Sequence, residues 1–381
     1  MTISLREIGR AFRDGTLSPD VLTRNCLDAI EARNPSLGCF FRVMAGPALA
    51  AATKAAADFA AGIDRGPLQG IPYTIADVID VNGVPTTCGS QLMAERVPDR
   101  TAEVVGRLHA SGAVLLGKDA VFEFAVGSPG PDALFPPARN PWNETRTAGA
   151  VGGGAAVAAG LCAFAIAPDT GGAVRGSAAL CGAAGLKPTR DAVSRKGVFP
   201  VASSLDHVGI IAASADDIAV VMPVVAQHYR PRSCASDLRG LTIGVLSGLS
   251  GIHPAMETAL DRAASAFEML GAQIKPISIS YLERLLVAGR VIYATECFAV
   301  HRDALRSNPD RFGSSTRHRI LIGAFLDGDD YARARDLADS LTRRFDDEVM
   351  SSCDILLSPA AAGPAGAMES SAYGVAGRSG A

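Results

Sequence analysis

The chain has no CxxC pair, no run of basic residues along a helix and no long apolar stretch free of glycine. Each absence closes off a class of function. Its eight cysteines, at 26, 39, 88, 162, 181, 234, 297 and 353, are scattered without metal-ligand spacing, which leaves no zinc motif or disulfide framework to read. Its six histidines are equally unpaired, so neither a metal nor another cofactor is predicted. The net charge is only −3, and without a basic stripe nucleic acid is not an expected partner. The short Arg317-His318-Arg319 run reads as a solvated surface. The most apolar stretch, about residues 148–167, is too rich in Gly and Ala to read as a membrane span. The N-terminus, Met1-Thr2-Ile3-Ser4-Leu5-Arg6-Glu7, lacks the pattern of a signal peptide. With the scattered thiols, this fits a reducing, cytoplasmic setting.

What the chain does have is apolar mass. Of its 381 residues, 48% are hydrophobic, ample for a large buried core. Leu5, Ile8, Ala11 and Phe12 recur at helical spacing, and Ser18-Pro19 supplies an N-cap and first position for a second helix, the pair covering residues 3–32. Residues 47–62 read as an Ala-rich helix and 71–80 as a buried strand. A helix follows at 101–111, with Thr101 as N-cap and Gly112 just past its end, then a strand at 113–117. Further helices are predicted at 154–162, 215–227, 255–270, 280–306 and 328–350, with strands at 163–167, 241–246 and 355–357. Helices alternating with short apolar strands define an α/β class with a mostly parallel or mixed sheet. A single domain over 1–365 is expected, with an Ala/Gly/Ser-rich disordered tail at 366–381.

Five ordered motifs run through the middle of the chain. Residues 66–80 read Gly-Pro-Leu-Gln-Gly-Ile-Pro-Tyr-Thr-Ile-Ala-Asp-Val-Ile-Asp. Residues 140–147 read Asn-Pro-Trp-Asn-Glu-Thr-Arg-Thr and lead into a glycine-rich loop. Then come Asp169-Thr170-Gly171-Gly172-Ala173-Val174-Arg175, a Cys181-Gly182-Ala183-Ala184-Gly185-Leu186-Lys187-Pro188-Thr189 block, and Ser203-Ser204-Leu205-Asp206-His207-Val208-Gly209. Together they closely resemble the amidase-signature family of amidohydrolases. The signature core spans 66–210, and the resemblance covers roughly residues 3–365. It implies a central twisted mixed β-sheet flanked by helices on both faces, here C-terminally truncated.

The resemblance also implies a site. In that family a buried neutral lysine is the base, a bridging serine next to a cis peptide bond relays the proton, and a second serine attacks the amide carbonyl. Backbone N–H groups of the Asp-Thr-Gly-Gly turn hold the oxyanion. Carried onto this chain, the lysine falls on Ala76 and the nucleophile on Ala173. The glycine loop is two residues shorter than the family pattern, so the bridging position is Val151 counted from one side and Gly149 from the other. No serine occurs between Arg146 and Gly176. Asp169, Thr170, Gly171 and Gly172 form the expected oxyanion turn, with Arg175 and Asp206 as structural support. Thr170 is expected to face its own backbone, Ser177 and Cys181 to lie on a helix leading away, and Lys118 and Lys187 to be surface or structural. His207 is expected to be hydrogen-bonded rather than catalytic, and the loop Gly149-x-x-Gly152-Gly153-Gly154 lacks the spacing of a phosphate cradle.

A methyl group can neither give up a proton nor attack. On this reading the chain is expected to be hydrolytically inactive, a retained fold serving as a ligand-binding, partner or regulatory subunit. The alternative is an active amidase that hydrolyses a small carboxamide with an unorthodox nucleophile. Both readings leave open a small amide or carboxylate ligand, and a homo-oligomer or a hetero-oligomer with an active paralogue.

Overall fold

The computed structural model describes residues 4–126, 130, 132–229 and 237–368. Two compact units emerge, Met1–Pro231 with Asp303–His318 and Ala365–Ser371, and Arg232–Arg302 with Arg319–Pro364 and Ala372–Ala381.

The first unit is built on a six-stranded sheet in the order β1-β3-β2-β6-β8-β7. Its strands are β1 (Phe40–Val43), β2 (Pro72–Ala76), β3 (Val114–Asp119), β6 (Phe164–Asp169), β7 (Ala184–Leu186) and β8 (His207–Ala212), while β4 (Arg139–Asn140) and β5 (Asn143–Thr147) form a separate ribbon. β2 runs parallel to both β3 and β6, whereas β1, β8 and β7 join antiparallel. The sheet is therefore mixed, as expected. The central strands β2, β3 and β6 are buried along their whole length, and this is why they read as unbroken apolar runs rather than alternating ones. Tyr73 stacks on Phe164 across the β2–β6 pair at 5.2 Å.

Among the described residues of this part of the chain lie the α-helices α1 (Leu5–Arg13), α2 (Pro19–Leu37), α3 (Ala45–Ala60), α4 (Glu103–Ala110), α5 (Gly153–Ala158), α6 (Ala173–Cys181) and α7 (Ala215–Val225). α1 opens with a reciprocal capping box between Ser4 and Glu7. Ser18 is the N-cap of α2 as expected, but its hydroxyl turns to Asp20 instead of the helix backbone. The N-cap of α4 is Ala102, not Thr101, because the Thr101 hydroxyl is drawn off to accept the Asn82 N–H at 3.0 Å. The strand expected over 71–80 stops at Ala76, where Ile79 N–H bonds back to the Ala76 carbonyl. The run stays apolar and buried while its backbone turns.

The second unit holds a three-stranded parallel sheet, β9 (Thr242–Leu246) between β10 (Gln273–Ile277) and β11 (Ile355–Leu357). α8 (Pro254–Met269) connects β9 to β10, and α11 (Gly328–Phe345) precedes β11. The helix expected to run to 350 gives way after Phe345 to a wider π turn, Asp346–Met350. α9 (Leu282–Ser307) and α10 (Ser314–Leu321) complete the α-helices among the described residues. Ile277, Val349 and Cys353 form a buried cluster of this unit.

The expectation of a tail from 366 is corrected at its start. Thr147 N–H donates to the Gly366 carbonyl and Met368 N–H to the Thr145 carbonyl, each at 3.0 Å. β5 would otherwise present unpaired backbone groups, and these residues cover them. Residues 369–381 lie outside the described residues.

Candidate active site

β2, β3 and β6 end at the same edge of the large sheet, where β8 begins. The registers pair Ala76 with Asp119 and Asp169 with His207. In open α/β sheets, ligands bind off the carboxyl ends of the strands, and this edge gathers most of the residues singled out from the sequence.

The turn from β6 into α6 is held by Asp169. Its carboxylate accepts from the Gly172 N–H at 2.8 Å, from the Arg175 N–H at 3.3 Å, and from the Arg175 guanidinium at 2.8 and 3.0 Å. Burial pushes this carboxyl up, but the Arg175 hydrogen bonds and charge outweigh it and hold it below the usual carboxylate range. Gly172 adopts φ 111°, a left-handed conformation that suits glycine, and starts α6. The amides of Gly171 and Ala173 make no hydrogen bond to the described residues. Two free N–H groups at a helix start can receive an oxyanion.

Thr170 departs from the expectation that it faces its backbone. Its hydroxyl donates to Asp206 Oδ1 at 2.6 Å. The antiparallel β6–β8 pairing explains this, since Asp169 opposite His207 sets the next residues, Thr170 and Asp206, opposite each other. Asp206 also accepts the N–H groups of Val201 and Ala202, each at 3.0 Å. His207 is hydrogen-bonded as expected, through Nδ1 to the Leu205 carbonyl at 2.7 Å. A carbonyl can only accept, so Nδ1 carries the proton and Nε2 the lone pair. Burial pushes the His207 pKa down, which keeps the ring neutral at neutral pH.

Ala76 is fully buried at the end of β2, and Ala173 is the half-buried first residue of α6. Val151 is buried in the glycine loop. What sequence order hides is Ser177. Lying four residues after Ala173, it falls on the same face of α6, and its Oγ accepts the Val151 N–H at 3.2 Å. The expectation that this residue leads away from the loop is corrected: the helix packs flat on the loop. A Cβ at Gly149, whose φ is +95°, would sit 2.5 Å from Ser177 Oγ. The signal available in the sequence was the 173-177-181 spacing, for Cys181 also reaches back, its Sγ lying 3.5 Å from the Ala148 carbonyl. Burial pushes the Cys181 thiol up to about 12, so it is no thiolate nucleophile at neutral pH.

Two buried ionisable side chains flank this edge. Lys118 is fully buried, pairs with Asp77 at 3.0 Å and donates to the Thr86 hydroxyl at 2.9 Å. It is structural, and not a surface residue. Asp119 is also fully buried, and neither of its carboxyl oxygens has a hydrogen-bond partner. The Thr74 hydroxyl and Gly153 N–H approach it without reaching bonding geometry. Burial holds its pKa well above the usual carboxylate range. Among the described residues no group of three or more His, Cys, Asp or Glu side chains is placed to hold a metal, and no helix is long and apolar enough to cross a membrane.

A buried aspartate braces a glycine turn that leaves free amides at a helix start, an arrangement able to hold an oxyanion. The comparisons agree: the Amidase family pattern matches residues 21–376, and the chain belongs to that family. A glutamyl-tRNA(Gln) amidotransferase subunit from Chloroflexus aurantiacus is 35% identical over 389 residues, covering 92% of this chain and 80% of that protein. A solved structure described as a vestigial protein complex that reveals the origins of an s-triazine catabolic enzyme is 31% identical, with a TM-score of 0.88 over 97% of this chain and 83% of its own. A crystal structure of an amidase superposes with a TM-score of 0.89 at 26% identity, covering 97% of this chain and 84% of its own.

These findings overturn the expectation of a hydrolytically inactive chain. It was drawn from three positions alone, whereas the relatives matching almost the whole length are named as an amidase and as one chain of an amidotransferase. They favour the alternative, an active amidase. The sequence reading named Thr170 and Ser177 but turned Thr170 to its own backbone and Ser177 away from the loop, whereas their hydroxyls reach Asp206 and Val151.

Proposed function

We propose that this chain is an amidase-family C–N hydrolase that cleaves a small carboxamide without a Lys–cis-Ser–Ser triad, using Thr170 as its nucleophile. The reading takes Ala76, Val151 and Ala173 as the positions where the three triad side chains have been replaced. The observation that carries it is the 2.6 Å bond from the Thr170 hydroxyl to Asp206, one residue from a turn with free amides at Gly171 and Ala173.

The chemistry is that of an activated hydroxyl. As Thr170 Oγ attacks the carbonyl carbon, its proton passes to Asp206 Oδ1. The carbonyl oxygen becomes an oxyanion held by the Gly171 and Ala173 N–H groups. Collapse breaks the C–N bond, and the leaving nitrogen takes the proton back from Asp206. Water then attacks the threonyl ester, giving its proton to Asp206, and the carboxylic acid departs as Thr170 recovers its hydrogen. Ser177 orders the glycine loop through Val151 and is too buried to meet substrate. The fully buried Asp169 braces the turn through Gly172 and Arg175.

The Chloroflexus relative is named as one subunit of its enzyme, which supports an assembly with a second chain. A cytoplasmic setting agrees with thiols at Cys26, Cys39, Cys88, Cys162 and Cys181 that stay buried outside any disulfide.

The test is release of ammonia from a panel of small primary carboxamides, with mass-spectrometric mapping of any trapped acyl adduct. Turnover in the wild-type chain, retention in Thr170→Ser, loss in Thr170→Val and an adduct on Thr170 are expected. Undiminished turnover in Thr170→Val, or an adduct on another side chain, would refute the assignment.

A further inference from the structure

We propose that the chain pairs with a second copy of itself through one face of the second unit, where α9 meets the turn Ile322–Phe325. α9 and α11 run antiparallel. The Tyr331 hydroxyl, in the first turn of α11, donates to Glu296 at 2.8 Å, and the Arg344 guanidinium, in its last turn, lies over the Tyr281 ring at 4.3 Å. The face of α9 turned to α11 is buried at Ala288 and Ile292. The opposite stripe reads Glu283, Leu286-Val287, Arg290, Ala294, Cys297 and His301, at the three- and four-residue spacing of one helix face. Its second half, from Ala294 to His301, is buried. There the turn Ile322–Phe325 comes down on the helix: a Cβ at Gly323 would meet the Ala294 carbonyl oxygen at 2.1 Å and Phe298 Cβ at 2.6 Å, so no side chain fits. The first half stays uncovered, with Leu286 49% and Val287 47% exposed, and the turn adds Ile322 at 57% and Phe325 at 87%.

Apolar side chains gathered in this way mark a contact surface, and the charges around them select the partner. Arg284 and Arg290 are exposed and form no ion pair among the described residues, against one carboxylate, Glu283, on the same stretch. The start of α11 has the other sign: Asp327, Asp329 and Asp330 come before its first arginine, Arg333. Asp327 and Asp330 cap the helix for each other, while the exposed Asp329 carboxylate has no side-chain partner among the described residues. One chain thus carries a basic and an acidic flank around an apolar centre. Val287 and Ala294 stand two turns apart, ~10 Å along α9. A two-fold axis crossing between them sets the α9 helices of two copies antiparallel. It places Phe325 of each copy over Leu286 and Val287 of the other, and Asp329 of each toward Arg284 of the other. Arg290, near the axis, has the reach to join the acidic flank. Residue i meeting j while j meets i is the pattern of an isologous interface. A partner of uniform charge would meet repulsion on one flank.

The experiment is sedimentation velocity on the full chain from ~1 to ~100 μM, where a concentration-dependent dimer is expected. Assembly is read without turnover, so the result is independent of Thr170. Phe325→Glu and Leu286→Glu each put a charge into the apolar centre and should raise the dimer dissociation constant by ~100-fold or more. Both side chains are exposed in the single copy, so thermal melts of the dilute chain should not move. Met269→Glu, at an 83% exposed side chain ending α8, should leave the dimer intact. Arg284→Glu and Asp329→Arg should each weaken it by ~3- to 10-fold, and together restore it, since the reversed charges again face each other. A monomer throughout the range, a dimer that survives Phe325→Glu in a folded chain, or equal loss in Met269→Glu would overturn the proposal. So would the absence of recovery in the double charge variant, or a chain of another sequence held in place of the second copy and released by Phe325→Glu.

Discussion

Thr170 and Asp206 face each other across the β6–β8 pair, hydroxyl to carboxylate at 2.6 Å, and the same carboxylate ties down the amides of Val201 and Ala202. One side chain therefore serves both chemistry and folding, and substitutions should separate the two. Thr170→Val deletes one half-buried hydroxyl, with an expected stability cost of ~1 kcal/mol and a loss of hydrolysis of ~10³-fold or more. Asp206→Asn leaves one acceptor oxygen where two served, and turns an NH₂ donor toward N–H donors. It should lose activity and also ~1–3 kcal/mol of stability. Chemical denaturation beside an ammonia-release assay distinguishes them; equal destabilisation by both variants would count against the separation.

The contact between α6 and the glycine loop is equally specific. At Gly149 a side chain meets two obstacles, a φ of +95° and Ser177 Oγ at 2.5 Å. Gly149→Ala is expected to destabilise by ~1–3 kcal/mol. Adding Ser177→Ala removes the closest contact but leaves Cα and Cβ of residue 177 at 3.0 and 3.1 Å as well as the backbone strain, so the double variant should recover only part of the loss. Full recovery in thermal melts would mean that packing, and not φ, sets the glycine.

The sequence reached much of this fold because its central strands and long helices are locally consistent. The runs 71–80 and 113–117 read as buried strands by apolar content, and they hold β2 and most of β3. β5 was invisible for the opposite reason, being polar and mostly exposed along Asn143 to Thr147. β7 and β8 went unread because β7 is only three residues long and β8 begins inside a motif read for its resemblance, at His207. At the site, the turn Asp169–Gly172 was legible from its motif. The Thr170–Asp206 bond was not, because it depends on strand register rather than on sequence distance. Ser177 was lost in the same way, through a helix that folds a distant hydroxyl onto the loop.

Asp119 offers a test by pH. Its carboxyl is fully buried, lacks a hydrogen-bond partner and titrates well above its usual range because burial disfavours the charge. For an acid whose folded pKa is raised, the folded chain keeps a proton that the unfolded chain gives up. The associated stability is complete below the unfolded value near ~4 and declines as pH rises toward the folded value. Asp119→Asn is neutral throughout. It should therefore gain on the wild type by up to ~1.4 kcal/mol per pH unit across this window. Urea unfolding at pH 5 and pH 8 checks it, and a pH-independent difference between the two chains would show that Asp119 is not held protonated.

Lys118 and Asp77 present the reverse case, two buried charges that satisfy each other. The ammonium pairs with Asp77 Oδ1 at 3.0 Å and donates to Thr86, while Asp77 Oδ2 accepts the Thr87 N–H at 3.0 Å and its hydroxyl at 2.5 Å. Both side chains are sealed from solvent, at 0% and 3% exposure, so neither can turn to water if the other is lost. Lys118→Met strands the carboxylate and should cost ~3–5 kcal/mol. Lys118→Met with Asp77→Asn removes both charges and keeps an acceptor for Thr87, so it should cost less than the single change. Burial opposes the lysine charge and Asp77 supports it, with burial the larger influence and the lysine pKa pushed down. The pair is therefore only as favourable as its geometry. Denaturant melts of the three chains decide the matter: a double variant no more stable than Lys118→Met would mean that the stranded carboxylate is not what the single change costs.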